Sequence, residues 1–318
     1  MNTKKTSKTD DNEKKKTESN LENKKQDGMR LLIYLALSFS LAWLWFFVSN
    51  NNGELWEDMS NAKQSLVALG MMCPVTAHIL TRLITKEGFA MTGKGSMMLG
   101  IVFRDRKWIW FLLAFILPWA YTELGNAIAL LISPDMYDPT YYQSLDVDSR
   151  ILFLMPVNAL ITGVVGSFAA FGEEGGWRGY MMPKLFKIMG RVPALLCGGI
   201  IWGLWHAPLT CIGHNFGTDY PGFPYVGIVQ MCIFCTLVGV LLTYLTEKSG
   251  SVWPAAFMHA IGNASPTILQ GFINPDKAAD LPVSAGWAGM LVSLVLVSAV
   301  FLFILKKHPG TSLQVQHP

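Results

Sequence analysis

The chain has 318 residues, of which 51% are hydrophobic and only 15% are charged, and its mean hydropathy is +0.34. A formal net charge of +3 is too small and too dispersed to support nucleic-acid binding. The five cysteines lie in or beside apolar runs, which indicates packing residues rather than a disulfide framework or a metal-binding set. The composition therefore predicts a polytopic membrane protein and excludes a nucleic-acid-binding protein.

The chain begins with a polar, lysine-rich segment. Residues 1–29 contain too few apolar side chains to form a core, so we expect a disordered cytoplasmic tail. The apolar runs that follow predict an all-α bundle of about eight membrane-spanning helices within residues 30–308, with a short tail at 309–318. The predicted spans are 31–49, 64–82, 108–133, 151–171, 192–212, 224–246, 252–273 and 285–305.

The loops between these spans alternate in charge along the chain. Lysine and arginine concentrate in the loops after the second, fourth and sixth spans, whereas aspartate and glutamate dominate the loops of opposite parity. Positively charged loops favour the cytoplasmic side of a membrane. The sequence therefore predicts a multi-pass protein of the cell membrane with both termini in the cytoplasm.

The segment Gly172–Arg178 (GEEGGWR) follows an apolar run that has no charged residue. A carboxylate at membrane depth is costly unless it faces a cavity or a partner. Glu174 and Arg178 are four residues apart, a spacing that suits an ion pair on one helix face. Glu173 points about 100° away and is free to act as a general base. A charged helix end in the headgroup region is the alternative interpretation of this segment.

Two later spans add polar residues at helical spacing. His206 follows Trp202 by four residues in the span 192–212, and Asn263 follows His259 by four residues in the span 252–273. Distances along the predicted helices place both histidines and Glu173 at compatible depths, and they predict one cavity that opens to the cytoplasm. The glycines Gly175 and Gly176 are interpreted as sites of close helix packing.

These motifs occur in the order EExxxR (173–178), aromatic-xxx-His (202–206) and HxxxN (259–263). They resemble the CPBP intramembrane protease family, also called the ABI family, which includes the type II CAAX prenyl endopeptidases. The resemblance covers about residues 150–270, which would form the catalytic core of an eight-helix fold. It implies that Glu173 activates water, that His206, His259 and Asn263 surround it, and that Glu174 and Arg178 support the first motif. This family often has Phe at the position of Trp202.

The residue types leave the metal question open. Two histidines and a carboxylate match a three-ligand catalytic zinc set, in which His206 and His259 would bind Zn²⁺. A metal-free site would use Glu173 as the base, with His206 and Asn263 donating hydrogen bonds to the oxyanion. We favour Glu173 as the base rather than a ligand, and on ligand types alone we lean slightly to zinc involvement.

The predicted function is hydrolysis of peptide bonds in membrane-associated proteins or peptides, with prenylated CAAX-type proteins among the candidate substrates. Two other functions stay open at this point. One is a non-proteolytic membrane scaffold or bacteriocin-immunity-type protein of the same fold. The other is a proton-coupled transporter that uses the buried glutamate and histidines as a relay.

Overall fold

The computed structural model describes residues 3–93, 95–100, 107–144, 149–264, 267–277 and 284–307. Helices dominate these residues, and no named β-strand occurs among them. The α-helices of eight or more residues are numbered in chain order: α1 Thr3–Ser49, α2 Asn61–Ala68, α3 Cys73–Thr85, α4 Trp108–Ile132, α5 Ser149–Gly176, α6 Met182–Met189, α7 Arg191–Trp205, α8 Tyr225–Ser249, α9 Trp253–Ala264 and α10 Ala285–Lys307.

Six helical segments in the described part of the chain are long and apolar enough to cross a membrane, which confirms the predicted all-α membrane bundle. They are Leu21–Ser49, Asn61–Thr85, Trp108–Ile132, Leu154–Met189, Tyr225–Ser249 and Gly286–Phe303. The helices in the two remaining predicted spans are shorter, with 15 residues in α7 and 12 in α9. They extend about 22 and 18 Å, against a hydrocarbon core of about 30 Å. The count of eight spanning helices stays a prediction.

The first helix differs from the expected disordered tail. It runs from Thr3 to Ser49, so most of the segment before residue 30 is helical. Lysine and glutamate are good helix formers, and a scarcity of apolar residues argues against a core but not against a helix. Near its junction with the membrane, Asp27 is buried and accepts a hydrogen bond from Lys184 at 3.3 Å. The end of the expected tail is therefore held against α6.

Glycines set the closest contacts between helices. A Cβ at Gly199 of α7 would lie 2.3 Å from the Cα of Thr236 of α8. A Cβ at Gly176 would lie 2.5 Å from the Pro74 side chain of α3. Such positions let helix backbones approach each other inside a membrane. This contact confirms the packing interpretation of Gly176, and it holds the end of α5 firmly against α3.

The connections divide the bundle into two ends. We call one the basic end, because it carries the connections after α3, α6 and α8, where lysine and arginine concentrate. We call the other the acidic end, because it carries the connections after α1, α4, α7 and α9, which are rich in aspartate and glutamate.

The basic end is closed by packed polar contacts. Arg82 donates to the carbonyl oxygens of Gly88 at 2.9 Å and of Gly95 at 2.8 Å, and so holds the connection after α3 against the bundle. Lys184 of α6 donates to Glu87 of that connection at 2.7 Å. These bonds hold the described part of this connection against α3 and α6.

Candidate active site

The GEEGGWR segment ends in a local change of helix type. Helix α5 continues through both glutamates to Gly176 and passes into a π-helical turn, Trp177–Met181, before α6 begins. Single π-turns inside α-helices are rare and frequently lie at functional sites. The turn re-aims the side chains that follow the glutamates.

A buried histidine supports the backbone at this turn. The Nδ1 of His78 lies 2.8 Å from the carbonyl oxygen of Gly175, and Arg82 donates its Nε hydrogen to the Nε2 of His78 at 2.6 Å. Since Nε2 accepts from Arg82, Nδ1 carries the proton and donates it to Gly175. His78 thus contacts the backbone beside Glu174.

The second glutamate is held by two basic side chains. Glu174 Oε1 accepts from Arg178 at 3.1 Å and lies 2.8 Å from His259 Nδ1. The exposed fractions of Glu174 and Arg178 are 0% and 4%, and that of Glu173 is 2%. The predicted Glu174–Arg178 ion pair is confirmed. The headgroup interpretation is wrong, because these charges are enclosed by protein.

The first glutamate faces neutral donors. Glu173 Oε2 accepts the indole hydrogen of Trp202 at 2.6 Å and lies 3.4 Å from the indole nitrogen of Trp177. Among the residues that the structure describes, Arg178 pairs with Glu174 and no lysine or arginine pairs with Glu173. The sequence reasoning missed Trp177, although its spacing of four residues from Glu173 on one helix was a usable signal.

Trp202 brings the three sequence motifs together. Its ring centroid lies 4.1 Å from the Arg178 guanidinium carbon, 5.5 Å from the His259 ring centroid and 5.9 Å from that of His206. Together with its hydrogen bond to Glu173, the indole contacts side chains from α5, the π-turn, the end of α7 and α9. It fixes the relative positions of the charged groups.

His206 and Asn263 complete the set of predicted residues. His206 directly follows the end of α7, and its Nδ1 lies 2.9 Å from the carbonyl oxygen of Trp202, which makes Nδ1 the protonated nitrogen. Glu173, His206, His259 and Asn263 all line one cavity. Glu174 lies behind this cavity and is bonded to His259, with Arg178 beside it.

The cavity opens at the acidic end of the bundle. Its volume is about 1060 Å³. The lining residues at its mouth belong to the acidic-end connections and to the helix starts beside them: Trp56, Asn61, Asn215, Pro275, Ser284 and Trp287. His214 also lines it. No described residue of the basic-end connections does so.

The position of the mouth differs from the prediction. The sequence predicted a cavity that opens at the basic, cytoplasmic end. That expectation used depths measured along single helices from their basic ends. Such depths locate Glu173 near the middle of the bundle, but they do not show which end is packed shut. Long-range contacts such as Lys184–Glu87 decide this, and they close the basic end.

Sequence comparisons agree with the motifs. Residues 155–265 match the family profile described as type II CAAX prenyl endopeptidase Rce1-like. The matched segment runs from α5 to the end of α9 and contains all the predicted site residues. A CAAX prenyl protease 2 of Methanococcus maripaludis is 29% identical to this chain over 104 residues, which is 32% of this chain and 38% of that protein.

This part of the chain is therefore similar to the CPBP family. The agreement in residues 155–265 confirms the predicted extent of the resemblance, about residues 150–270. The chain spans 38% of the length of the archaeal CAAX prenyl protease 2 that it matches.

The donor geometry does not fit the zinc set that the residue types left open. In the described ranges, no three His, Cys, Asp or Glu side chains lie close enough together to hold a metal ion. His259 Nδ1 is engaged by Glu174, and Glu173 Oε2 is engaged by indole hydrogens. A three-ligand site would require these side chains to rearrange.

Trp202 is also the point at which this chain departs from the usual CPBP pattern. Phenylalanine at this position has no hydrogen to donate, whereas the indole of Trp202 bonds directly to Glu173. Trp202 thus adds a polar contact to the candidate base.

Proposed function

We propose that this chain is an intramembrane endopeptidase in which Glu173 activates a water molecule to cleave a peptide bond of a membrane-associated protein or peptide. The observation that supports the proposal is the convergence of Glu173, His206, His259 and Asn263 on one cavity, in the segment that matches the type II CAAX prenyl endopeptidase profile. Buried carboxylates in membrane helices are expensive, and a general base within a cavity gives this one a role.

The proposed reaction uses side chains alone. Glu173 takes a proton from water, and the resulting hydroxide oxygen bonds to the scissile carbonyl carbon. Asn263 donates a hydrogen bond to the oxyanion, a contribution worth about 3–4 kcal/mol in a dry site, and the unprotonated Nε2 of His206 accepts a hydrogen bond from the attacking water. The carbon–nitrogen bond then breaks, and Glu173 returns the proton to the leaving nitrogen.

Glu174 and Arg178 act behind the reacting groups. The hydrogen bond from His259 Nδ1 to Glu174 leaves Nε2 as the other polar atom of the ring. Arg178 compensates the charge of Glu174, so one negative charge rather than two is presented to the substrate. We assign Glu174 and Arg178 as positioning residues and His259 as a group that touches the substrate or the attacking water.

A cleavage assay on purified protein in detergent tests the base. We expect Glu173→Gln to abolish cleavage and to retain the fold, because the amide keeps the side-chain volume but does not accept a proton. Glu247→Gln is the matched control, since Glu247 lies at the basic end in a partly exposed pair with Arg191. Full cleavage by Glu173→Gln refutes the proposal, and biological activity retained without cleavage favours the scaffold function.

Metal dependence is tested separately. Because the described side chains do not gather a three-ligand site, we expect full cleavage by chelated protein that carries far less than one zinc per chain. Elemental analysis measures the metal, with His259→Ala as a comparison. One zinc per chain in active wild type, lost together with activity in His259→Ala, would instead establish the zinc mechanism.

A further inference from the structure

The route into the cavity follows from which end of the bundle is closed. On the basic-end side of Glu173, the buried side chains of Trp177, Tyr180, Met181 and Leu185 form a layer that we call the floor. The connection after α3 lies beyond this layer, with Met97 O 3.3 Å from where a Cβ of Gly179 would lie. A polypeptide therefore has no described passage to Glu173 from the basic end.

Hydrogen bonds at the acidic end fix the connections that surround the mouth of the cavity. Trp56 donates its backbone hydrogen to the carbonyl of Ile212 at 2.8 Å, joining the connections after α1 and α7. Glu123 of α4 accepts the backbone hydrogens of Ile268 at 2.6 Å and Leu269 at 3.3 Å, which fixes the connection after α9. These connections surround the entrance rather than cover it.

Charge gives the orientation of the two ends. The described connections and helix termini at the basic end carry Lys86, Lys107, Lys187, Arg191 and Lys248, and those at the acidic end carry Glu54, Glu57, Asp58, Asp135, Asp138, Asp219 and Asp276. The charges of opposite sign are paired: Glu87 and Glu247 with Lys184 and Arg191 at the basic end, and Lys63 and Lys277 with Glu54 and Asp138 at the acidic end. Positively charged short loops stay in the cytoplasm, and the bias sets the orientation of the whole bundle. The mouth then lies on the non-cytoplasmic side of the membrane.

The chemistry of the mouth suits a polypeptide. Uncharged hydrogen-bonding side chains line it: Asn61, Gln64, Ser65, Asn215, Gln270 and Ser284. Amides and hydroxyls both donate and accept, as a peptide backbone requires. A volume of about 1060 Å³ lies at the upper limit of small-molecule pockets, which span about 300–1,000 Å³. It has room for several residues of an extended chain.

We infer that the substrate is a polypeptide segment on the non-cytoplasmic side of the membrane, which enters through the acidic-end mouth, and not a prenylated tail in the cytoplasm. That this segment is a substrate rests on the proposed peptidase function. The direction of entry rests on the closed floor, the open mouth and the distribution of charge, and it can be measured without any activity.

Cysteine accessibility tests the direction of entry. Asn61→Cys and Ser284→Cys place thiols at the exposed mouth, and Lys187→Cys places one at the exposed basic end. Each is made in a Cys211→Ser background, because Cys211 is itself exposed, and that parent serves as the blank. We expect a membrane-impermeant maleimide added to intact cells to label both mouth thiols, and to label Lys187→Cys only after permeabilisation. The reverse pattern overturns the inference.

The side of the substrate is tested with paired reporters. One membrane protein carries a peptide segment next to its membrane span on the non-cytoplasmic side, and a second carries the same segment on the cytoplasmic side. Both are co-expressed with wild type or with Glu173→Gln. Cleavage of the first reporter by wild type alone supports the inference, and cleavage of the second by wild type alone overturns it. If wild type does not cleave any peptide in the detergent assay, the proposed function is refuted. The labelling result would still show the direction in which the cavity opens.

Discussion

At the scale of single residues, the site depends on how its charges are shared among neighbours. Glu174 takes the ionic partners Arg178 and His259, and Glu173 is left with indole donors. This division is what a general base requires, because an arginine bonded to Glu173 would oppose its protonation. The two adjacent glutamates thus occupy different environments, and the difference follows from their directions on the helix.

The contact between Trp202 and Glu173 gives a prediction at this scale. Trp202→Phe keeps an aromatic ring but removes the indole hydrogen. Because a hydrogen bond to a charged group contributes about 1.5–3 kcal/mol, we expect kcat/KM to fall roughly 10- to 100-fold. Peptide cleavage measured beside the thermal midpoint separates this effect from unfolding.

Trp205→Phe is the matched control for that substitution. The Trp205 indole nitrogen is buried and makes no hydrogen bond to any described residue. Trp205→Phe removes the same atoms as Trp202→Phe, but it does not remove a contact to Glu173. Equal losses of activity in Trp202→Phe and Trp205→Phe would show that ring shape, and not the hydrogen bond, matters.

At the scale of helices, the glutamates are placed by the close approach of α5 to α3. Gly176 lies directly before the π-turn and against Pro74, and the neighbouring carbonyl of Gly175 is held by His78 of the same helix α3. The backbone on both sides of the turn is therefore fixed by one neighbouring helix. An irregular helix segment needs such external support to keep one geometry.

Gly176→Ala tests this packing. Its Cβ would lie 2.6 Å from the Tyr34 hydroxyl oxygen and 2.5 Å from Pro74, so the helices must separate. We expect a loss of about 1–3 kcal/mol in stability, typical of overpacking, together with loss of cleavage. Thermal unfolding in detergent measures the first effect.

Gly286→Ala provides the comparison, since a Cβ at Gly286 meets nothing within 4 Å. There we expect stability to be unchanged or slightly increased, because alanine is favoured over glycine in a helix by about 1 kcal/mol. A Gly176→Ala protein as stable and active as wild type would contradict the account of the π-turn.

At the scale of the whole molecule, a set of charges joins distant parts of the chain at the basic end. Lys184 bonds to Glu87 and to Asp27, and Tyr180 donates its hydroxyl hydrogen to Glu87. The set connects α1, the connection after α3, the π-turn and α6. It is also what closes the basic end, so the direction of the cavity depends on it.

Glu87 makes this closure sensitive to pH. Burial raises the pKa of Glu87, but hydrogen bonds from Lys184 and Tyr180 outweigh it and lower the pKa to about 2, from 4.5 for the free side chain. A pKa lowered by folding stabilises the protein fully above pH 4.5, and this contribution is lost as the pH falls towards 2.

We therefore expect Glu87→Gln to be less stable than wild type at pH 7, and the difference to shrink steadily in unfolding experiments below pH 4.5. Glu247→Gln, which removes a more exposed carboxylate at the same end, should show a much smaller difference at pH 7. A difference between Glu87→Gln and wild type that is the same at pH 7 and pH 3 would mean that Glu87 does not act through its charge.

The sequence predicted the parts of the site that depend on local spacing. The Glu174–Arg178 pair was predictable because residues four apart on a helix are neighbours. The bond between Trp202 and Glu173 joins residues 29 apart on different helices, and no spacing rule indicates it. The direction of the cavity was wrongly expected for the same reason, since the closure by Glu87 and Lys184 spans 97 residues.

The shortness of α7 and α9 has an electrical consequence. Both helices start at the basic end and stop inside the bundle, where the open, polar-lined cavity admits water from the acidic end. From Glu173 to Lys184 the helix rises only about 16 Å, roughly half of the hydrocarbon thickness. A membrane voltage, which costs about 2.3 kcal/mol per charge for each 100 mV crossed, falls mainly across this thin layer. We therefore expect cleavage to depend little on the membrane voltage.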